Sequence, residues 1–434
     1  MLTVPFLTEI DSRAAIRGSR DPLGVQPIWS RLGRHVVGNL TTVSTSLRDF
    51  TTLLLGYHFC ERVTDTGGGS ELSTFLKWEQ LCAYARVAVN GEREGLRGIE
   101  RVQRNLNAGK RVQISDDPSC QILGNQKIYG LWGLYTVPAR SSGLVEGAPT
   151  RLTAAAHTLV DSVYLPVLSR AGFKNGDAIV RLLHERRTEI DVQGKHRPLL
   201  LAIARILDKR VLDAERELYR DHLLHGGPCD RTNGLQIQLL HLLEETLDED
   251  WVPSPPRIAE LTGFARERGG SDERLAGRLE RIRKVEQLIA PAENLFGHLL
   301  ASEGQTADEA ARAVRSVWGK SMPHIDPDSL DAIRDDLRAT DGSPESAERW
   351  IRIARSMREG DFESATGLLF AQNRAVMKAR TGSDAWAEIR DGRIHVRFKD
   401  QSTPPLPKRR ELPHFWLNPY FIPSLRNMAR ALRS

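Results

Sequence analysis

Residues 129–160 read YGLWGLYTVPARSSGLVEGAPTRLTAAAHTLV, and the order of elements in this stretch decides the fold. Tyr129 to Val137 has the apolar content of a helical end. Gly143-Leu144-Val145 then predicts a short strand, Glu146-Gly147-Ala148-Pro149 a turn, and Arg151-Leu152-Thr153 a return strand. Gly and Pro punctuate the turn because they take backbone angles that strands do not use. Leu144, Val145 and Leu152 are the side chains that would pin such a hairpin to a core, and Thr153 is placed to cap a new helix.

Upstream, Arg13 to Arg34 (RAAIRGSRDPLGVQPIWSRLGR) reads as an irregular basic arm, broken at Gly18, Pro22, Gly24 and Pro27. A long helix is predicted next, from Val36 or Val37 through Leu40, Val43, Leu47, Phe50, Leu54 and Tyr57, which recur at three- and four-residue steps. Its Thr- and Ser-rich opposite face suits packing against another element. Thr64 to Gly69 breaks the pattern, Ser70 caps the following helix with Glu71 complementing its dipole, and Asn90-Gly91 stops it. A further helix is expected from about Glu92 to Leu106.

Downstream the chain is strongly helical. Apolar stripes predict helices at Asp177–Ile190, Pro198–Leu224 and Leu235–Leu247, and WVPSPP at 251–256 marks the clearest linker. Beyond it, Ser271 reads as a cap for a helix carrying Leu275, Leu279, Ile282, Val285 and Leu288 that ends before Pro291. Two helices lie within Thr306–Leu337, and another begins near Pro344 with Trp350, Ile353, Met357, Phe362, Leu369 and Val376 on its core side. The strongest sheet signal is WAEIRDGRIHVRF, where Asp391-Gly392 is a type I′ turn and Ile394, Val396 and Phe398 alternate on one face. A Pro-rich segment with Lys408-Arg409-Arg410 and an aromatic helical tail from Phe415 to Leu432 close the chain.

The segment SGLVEGAPTRLTAAAHTLV is similar to the wing of winged-helix regulators. It resembles the MarR and PadR families over residues 92–168, with Ala156 where those families carry Gly. The resemblance implies a module that holds DNA or another protein, its hairpin turn projecting toward a minor groove. Glu146 in the turn and the apolar Leu131, Trp132, Leu134 and Tyr135 imply a grip on the DNA backbone, or a protein partner, rather than base reading. The remainder resembles, in general character, uncharacterised bacterial proteins of genome and antiviral defence. The expected fold is therefore mainly α: a multi-domain helical protein with a winged-helix-like module and a C-terminal β-hairpin. Its divisions are expected at 1–66, 67–168, 169–250, 257–383 and 384–434.

Charge narrows the function less than its kind suggests. The net charge of +5 is small beside 61 basic and 56 acidic residues, but only 11 of the basic residues are Lys. Arginine binds phosphates and carboxylates bidentately, so its dominance suits either partner. The residues best placed by sequence to meet nucleic acid are Arg17, Arg20, Arg31 and Arg34 in the arm, Arg48, then Lys127, Arg140, Ser141 and Arg151 around the hairpin, and Lys408, Arg409 and Arg410. Trp29 is available to stack on an unpaired base.

Cys60, Cys82, Cys120 and Cys229 lack any paired spacing, and MLTVPFLTEIDSR lacks a secretory core, so a cytoplasmic protein without membrane spans is expected. No phosphate-binding loop, nucleophile elbow or His-Glu-x-x-His pattern is present. Weaker constellations are His222, His225 and Cys229 as metal ligands, Glu189, Asp191, Gln193 and Lys195 as a nuclease-like strand placed here in a loop, and the pairs His184-Glu185 and His241-Glu244-Glu245. The leading expectation is a non-enzymatic, nucleic-acid-associated or complex-forming subunit, with no catalytic residue, metal or cofactor. It would touch DNA through the arm and wing and join a protein partner or a second copy of itself. A metal-dependent nuclease or hydrolase and a pure docking scaffold are the alternatives.

Overall fold

The described part of the basic arm folds into a helix from Val25 where the sequence suggested irregular chain. Helix α1 spans Val25–Arg34, and the Asp21 carboxylate accepts hydrogen bonds from Val25 N and Gln26 N at 2.8 and 3.0 Å. Pro27 sits in its first turn, where a missing N–H breaks no helical bond. The computed structural model describes residues 21–247, 250–270, 272–338, 344–382, 384–398 and 405–433, so Arg13, Arg17, Arg20 and Ser271 lie outside the described residues. It is mainly helical. Its residues fall into two units, one of 37–247 with 423–433 and the other of 21–36 with 250–422. The divisions expected at 66/67 and 168/169 therefore fall inside one unit, whereas the WVPSPP linker lies beside a unit boundary.

In the first unit, α2 (Leu47–Asp65) starts later than its apolar stripe predicted, after the non-helical residues 36–46. Every residue from Leu47 to Cys60 is buried, so this helix is enclosed on all sides. Its Thr face packs inward as expected: Thr51 and Thr52 are buried, and their hydroxyls donate to carbonyls one turn back. Helix α3 (Glu71–Asn90) lies against it, capped by Ser70 Oγ, which accepts from Ser73 N at 3.2 Å, and closed by Gly91 in the left-handed region. Helix α4 (Ile99–Ala108) begins later than expected and leads into strand β1 (Arg111–Ser115). After β1 come α5 (Gln126–Tyr129) and α6 (Leu131–Ser141), then β2 (Val145–Glu146) and β3 (Arg151–Leu152). Helix α7 (Ala154–Leu159) runs directly into a π-helical turn at Val160–Tyr164 and then α8 (Leu165–Arg170).

Helix α9 (Asp177–His184) is shorter than predicted, because residues 187–191 form strand β4, antiparallel to β1 in the register Val112 opposite Ile190. TEIDVQGKH is thus a strand and turn rather than a loop between helices. Gln80 of α3 joins this ladder: its amide donates to Ser115 O at 2.8 Å and accepts from Ser115 N at 3.0 Å, all buried. The stripe at 198–224 divides into α10 (Arg197–Ile206) and α11 (Asp213–Tyr219), which ends in a second π-helical turn at Arg220–Leu224. Asn39 donates to the carbonyls of His222 and Leu223, and Gln236 to those of Leu223 and Leu224, which satisfies groups a wide turn leaves open. Helix α12 (Leu235–Glu244) follows.

The second unit is built on α13 (Pro255–Arg268) and the buried spine α14 (Asp272–Leu300). Ser254 caps α13, so the proline run starts a helix. Helix α14 does not stop at Pro291. Residues on both sides of it, from Leu275 to Leu300, are buried, and that packing outweighs one lost backbone bond. Helices α15 (Ala307–Trp318), α16 (Arg334–Leu337), α17 (Pro344–Glu359) and α18 (Phe362–Thr381) complete the helical part. The break at Gly360 has a cause in φ of 74° and in Lys320 O, which would stand 1.9 Å from any Cβ there. The expected hairpin is present as β5 (Ala387–Arg390) and β6 (Arg393–Val396), with Asp391 at φ 51° and Gly392 at φ 73°. Helix α19 (Ile422–Arg433) closes the described chain. Among the described residues no helix is long and apolar enough to cross a membrane.

Candidate functional site

The surface around the 145–152 hairpin is assembled from α3 outward. Glu79, fully buried on α3, accepts from Leu131 N at 2.7 Å and from Gln126 Nε2 at 2.8 Å, which fastens the start of α6. Burial pushes its carboxyl up to about 7. Gly130 permits this approach, since a Cβ there would meet Gln126 O at 2.4 Å and the Glu79 carboxylate at 2.6 Å. Gly133 is constrained in the same way by Ile128 O, 2.3 Å from a built Cβ. These glycines are close-approach positions, although by propensity they weaken a helix.

The inner face of α6 is occupied. Tyr57, Phe75 and Trp132 form an aromatic triangle with ring centroids 5.2 to 5.5 Å apart, and Tyr135 donates to Val43 O at 2.7 Å. Leu131 and Tyr135 are therefore buried, and Trp132 and Leu134 half-buried, so these four are not the outward face. That face consists of Ile128, Tyr129 and Val137, which are 52%, 49% and 61% exposed, with Gly133 between them.

The hairpin forms where the sequence placed it, with Leu144, Val145 and Leu152 buried and Val145 opposite Leu152. Thr153 occupies the N-cap position of α7, but its hydroxyl donates back to Gly143 O at 2.9 Å instead of capping. Arg140 donates to Gly147 O at 3.2 Å and Thr150 Oγ1 at 3.1 Å, so it braces the turn. Arg151 pairs with Glu61 at 3.2 Å. Both arginines lie beside the hairpin as expected, with half-buried Ser141 following on the same helix as Arg140 and exposed Lys127 on α5. Arg48 is elsewhere in chemical terms. It is buried, 2.5 Å from Glu215 and 2.8 Å from Arg210 O, and no phosphate reaches it. In the other unit Arg31 lies 3.5 Å from Asp336, Arg34 stacks 4.0 Å above the Phe421 ring with its guanidinium pKa lowered by burial, and Lys408, Arg409 and Arg410 are exposed. Trp29 packs on Phe421 at 5.4 Å and is not a free stacking platform.

Among the described residues, the weaker constellations are not gathered as metal ligands. His222 is held at Nδ1 by Ser142 O at 2.7 Å, His225 lies 3.4 Å from Asp221, and Cys229 is exposed. Asp191 accepts from Gly194 N at 2.8 Å, which keeps its carboxyl below the usual range, and Glu189 pairs with Arg111 at 3.1 Å. Sequence reasoning missed a different group: among the described residues, His58, His157 and Asp161 bring one ligand atom each within 4.8 Å of the others. Burial pushes the His58 imidazole down to about 4. The one sequence signal for this group is the His157–Asp161 spacing of four on a helix, since His58 lies about a hundred residues upstream.

No protein-family model matches this chain, and no curated protein or solved structure matches it either.

Proposed function

We propose that this chain is a non-enzymatic, complex-forming component that docks a partner protein on the outward face of α5 and α6. The observation that carries this reading is the exposure of Ile128, Tyr129 and Val137 on helices held rigidly from beneath by Glu79 and the Tyr57–Phe75–Trp132 cluster. Large apolar side chains grouped on a pre-organised element are what a recognition surface needs, because little ordering entropy remains to be lost on binding. The order helix, hairpin, helix supports a winged-helix reading of this module, and winged helices serve protein docking as well as DNA. Arg140 and Arg151, the arginines expected to meet phosphates, make internal bonds instead.

DNA-backbone contact is the second reading, favoured by the exposure of Lys127, Lys408, Arg409 and Arg410. A photo-crosslinking amino acid placed at Val137 in the source cells separates the two. Docking predicts an adduct with one defined protein from Val137 and Ile128 but not from Glu217, exposed on α11. An identical adduct pattern from all three positions, or none from Val137, refutes the docking reading. Duplex affinity tighter than about 100 μM at low salt that falls steeply with added salt would establish the second instead.

A further inference from the structure

His58 stands on α2, His157 on α7, and Asp161 in the π-helical turn that continues α7. His157 and Asp161 are four residues apart, so they share a helical face, and that face is turned to His58: the two imidazole centroids are 6.4 Å apart. His58 is 7% exposed, and its Nε2 is buried with no hydrogen-bond partner. An imidazole nitrogen left unpaired in a core is costly, so its retention calls for a partner the polypeptide does not supply. π-helical turns are rare, and they collect at functional sites because the extra residue re-aims a side chain.

We propose that His58, His157 and Asp161 bind a divalent transition-metal ion of the zinc class, with a fourth coordination position open to solvent. Two imidazoles and one carboxylate suit zinc, whereas magnesium and calcium take oxygen ligands. Bonds of about 2.0–2.1 Å in a tetrahedron put neighbouring ligand atoms about 3.3 Å apart, so a group spread over 4.8 Å closes by about 1.5 Å. Buried His58 is the fixed point, and half-buried His157 and exposed Asp161 are free to swing toward it. Glu61 Oε2 lies 3.6 Å from His157 Nε2, and Arg151 holds the other Glu61 oxygen at 3.2 Å. That carboxylate stands within ion-pair distance of the imidazole, on the side where carboxylates behind metal-bound histidines stand. Arg62 is the opposing charge nearby, and its guanidinium lies 2.6 Å from Asp177, which offsets it. The bound ion would join α2 to the α7 segment across the side of the hairpin.

The full chain, stripped with chelator and desalted, is titrated with zinc chloride by calorimetry, with magnesium chloride run in parallel. One zinc per chain with Kd tighter than about 100 μM, no magnesium heat, and at least tenfold weaker binding in both H157A and D161A are expected. His157 and Asp161 are not core residues, so both variants retain the wild-type circular dichroism. Cobalt in place of zinc gives the visible bands of a tetrahedral nitrogen–oxygen site in the wild type and loses them in H157A. Zinc binding weaker than about 100 μM overturns the site. So does an H157A/D161A double variant that binds zinc as the wild type does, which would place the ion elsewhere.

Discussion

Replacing Arg48 by alanine probes how this chain spends its arginines. Nη1 lies 2.5 Å from Glu215 Oε1 and Nη2 3.2 Å from Oε2, with side-chain exposures of 7% and 1% for the two partners. The same carboxylate accepts from Tyr164 Oη at 2.6 Å and Leu212 N at 2.8 Å, and Thr51 links Arg48 to Tyr219 at 3.2 and 2.9 Å. R48A leaves a buried carboxylate with neutral donors alone, which costs about 3–5 kcal/mol. At about 2–4 °C per kcal/mol for a unit of this size, the unfolding midpoint falls by about 6–20 °C. R48M/E215L exchanges the pair for apolar volume and is expected within about 2 kcal/mol of the wild type, well above R48A. Because the two units need not melt together, hydrogen exchange of the α2 amides is followed beside circular dichroism. An R48A protein that melts within about 1 °C of the wild type yet loses affinity for duplex DNA would refute this reasoning, since that is the behaviour of an exposed phosphate-gripping arginine.

Glu293 supplies a pH dependence in the other unit. Burial pushes its carboxyl up to about 8, with Asn418 Nδ2 donating to it at 2.8 Å, and burial also raises neighbouring Glu286. A carboxyl whose folded pKa lies above its unfolded value of about 4.3 favours folding fully at acid pH, and that stability is lost as pH rises through about 8. Unfolding free energies from urea titrations at pH 5 to 9 should fall more steeply in the wild type than in E293Q, by a difference on the order of 4 kcal/mol, while Glu286 leaves a residual slope in both; equal slopes would show that Glu293 titrates normally. Glycine replacements give a paired test. G360A drives a Cβ into Lys320 O at 1.9 Å and should cost well above 2 kcal/mol, whereas G392A has φ 73° and open space, so only the left-handed penalty of about 1–2 kcal/mol applies. Thermal melts that rank G392A as the more damaging would contradict both assignments.

What the sequence made legible was local. Ser70, Gly91 and the Asp391-Gly392 turn carry their geometry in adjacent residues, and each forms as read. The 145–152 hairpin also appears in place, because buried Val145 and Leu152 pair on one face, exposed Glu146 and Arg151 on the other, and a Gly- and Pro-bearing turn lies between them. Strands β1 and β4 were missed for the opposite reason. Each is short, and their partnership is set by Gln80 and by a register joining residues 111–115 to 187–191, which no local pattern reports. Pro27 and Pro291 misled in the same direction. Proline marks a probable boundary, but a first-turn position in α1 and burial on both sides in α14 removed its usual consequence.

The site residues show the limit more sharply, since arginines look alike in a sequence. Arg48 and Arg86 are buried, Arg140 and Arg151 exposed, and each meets a different group that its own sequence neighbourhood does not announce: Glu215, Asp49 with Glu92, the Gly147–Thr150 turn, and Glu61. This bears on how nucleic-acid binding is tested. Charge reversal at Arg140 would release the hairpin turn, and at Arg151 it would set two carboxylates against each other beside His157. A loss of affinity in either variant would follow equally from a deformed docking face and from a lost phosphate contact. Lys127 is exposed on α5, next to Ile128 and Tyr129. K127E therefore changes the charge of that face without disturbing the hairpin. Duplex binding that drops in K127E and keeps its dependence on salt points to phosphate. A partner crosslinked from Ile128 that survives K127E but is lost in V137E points to apolar docking.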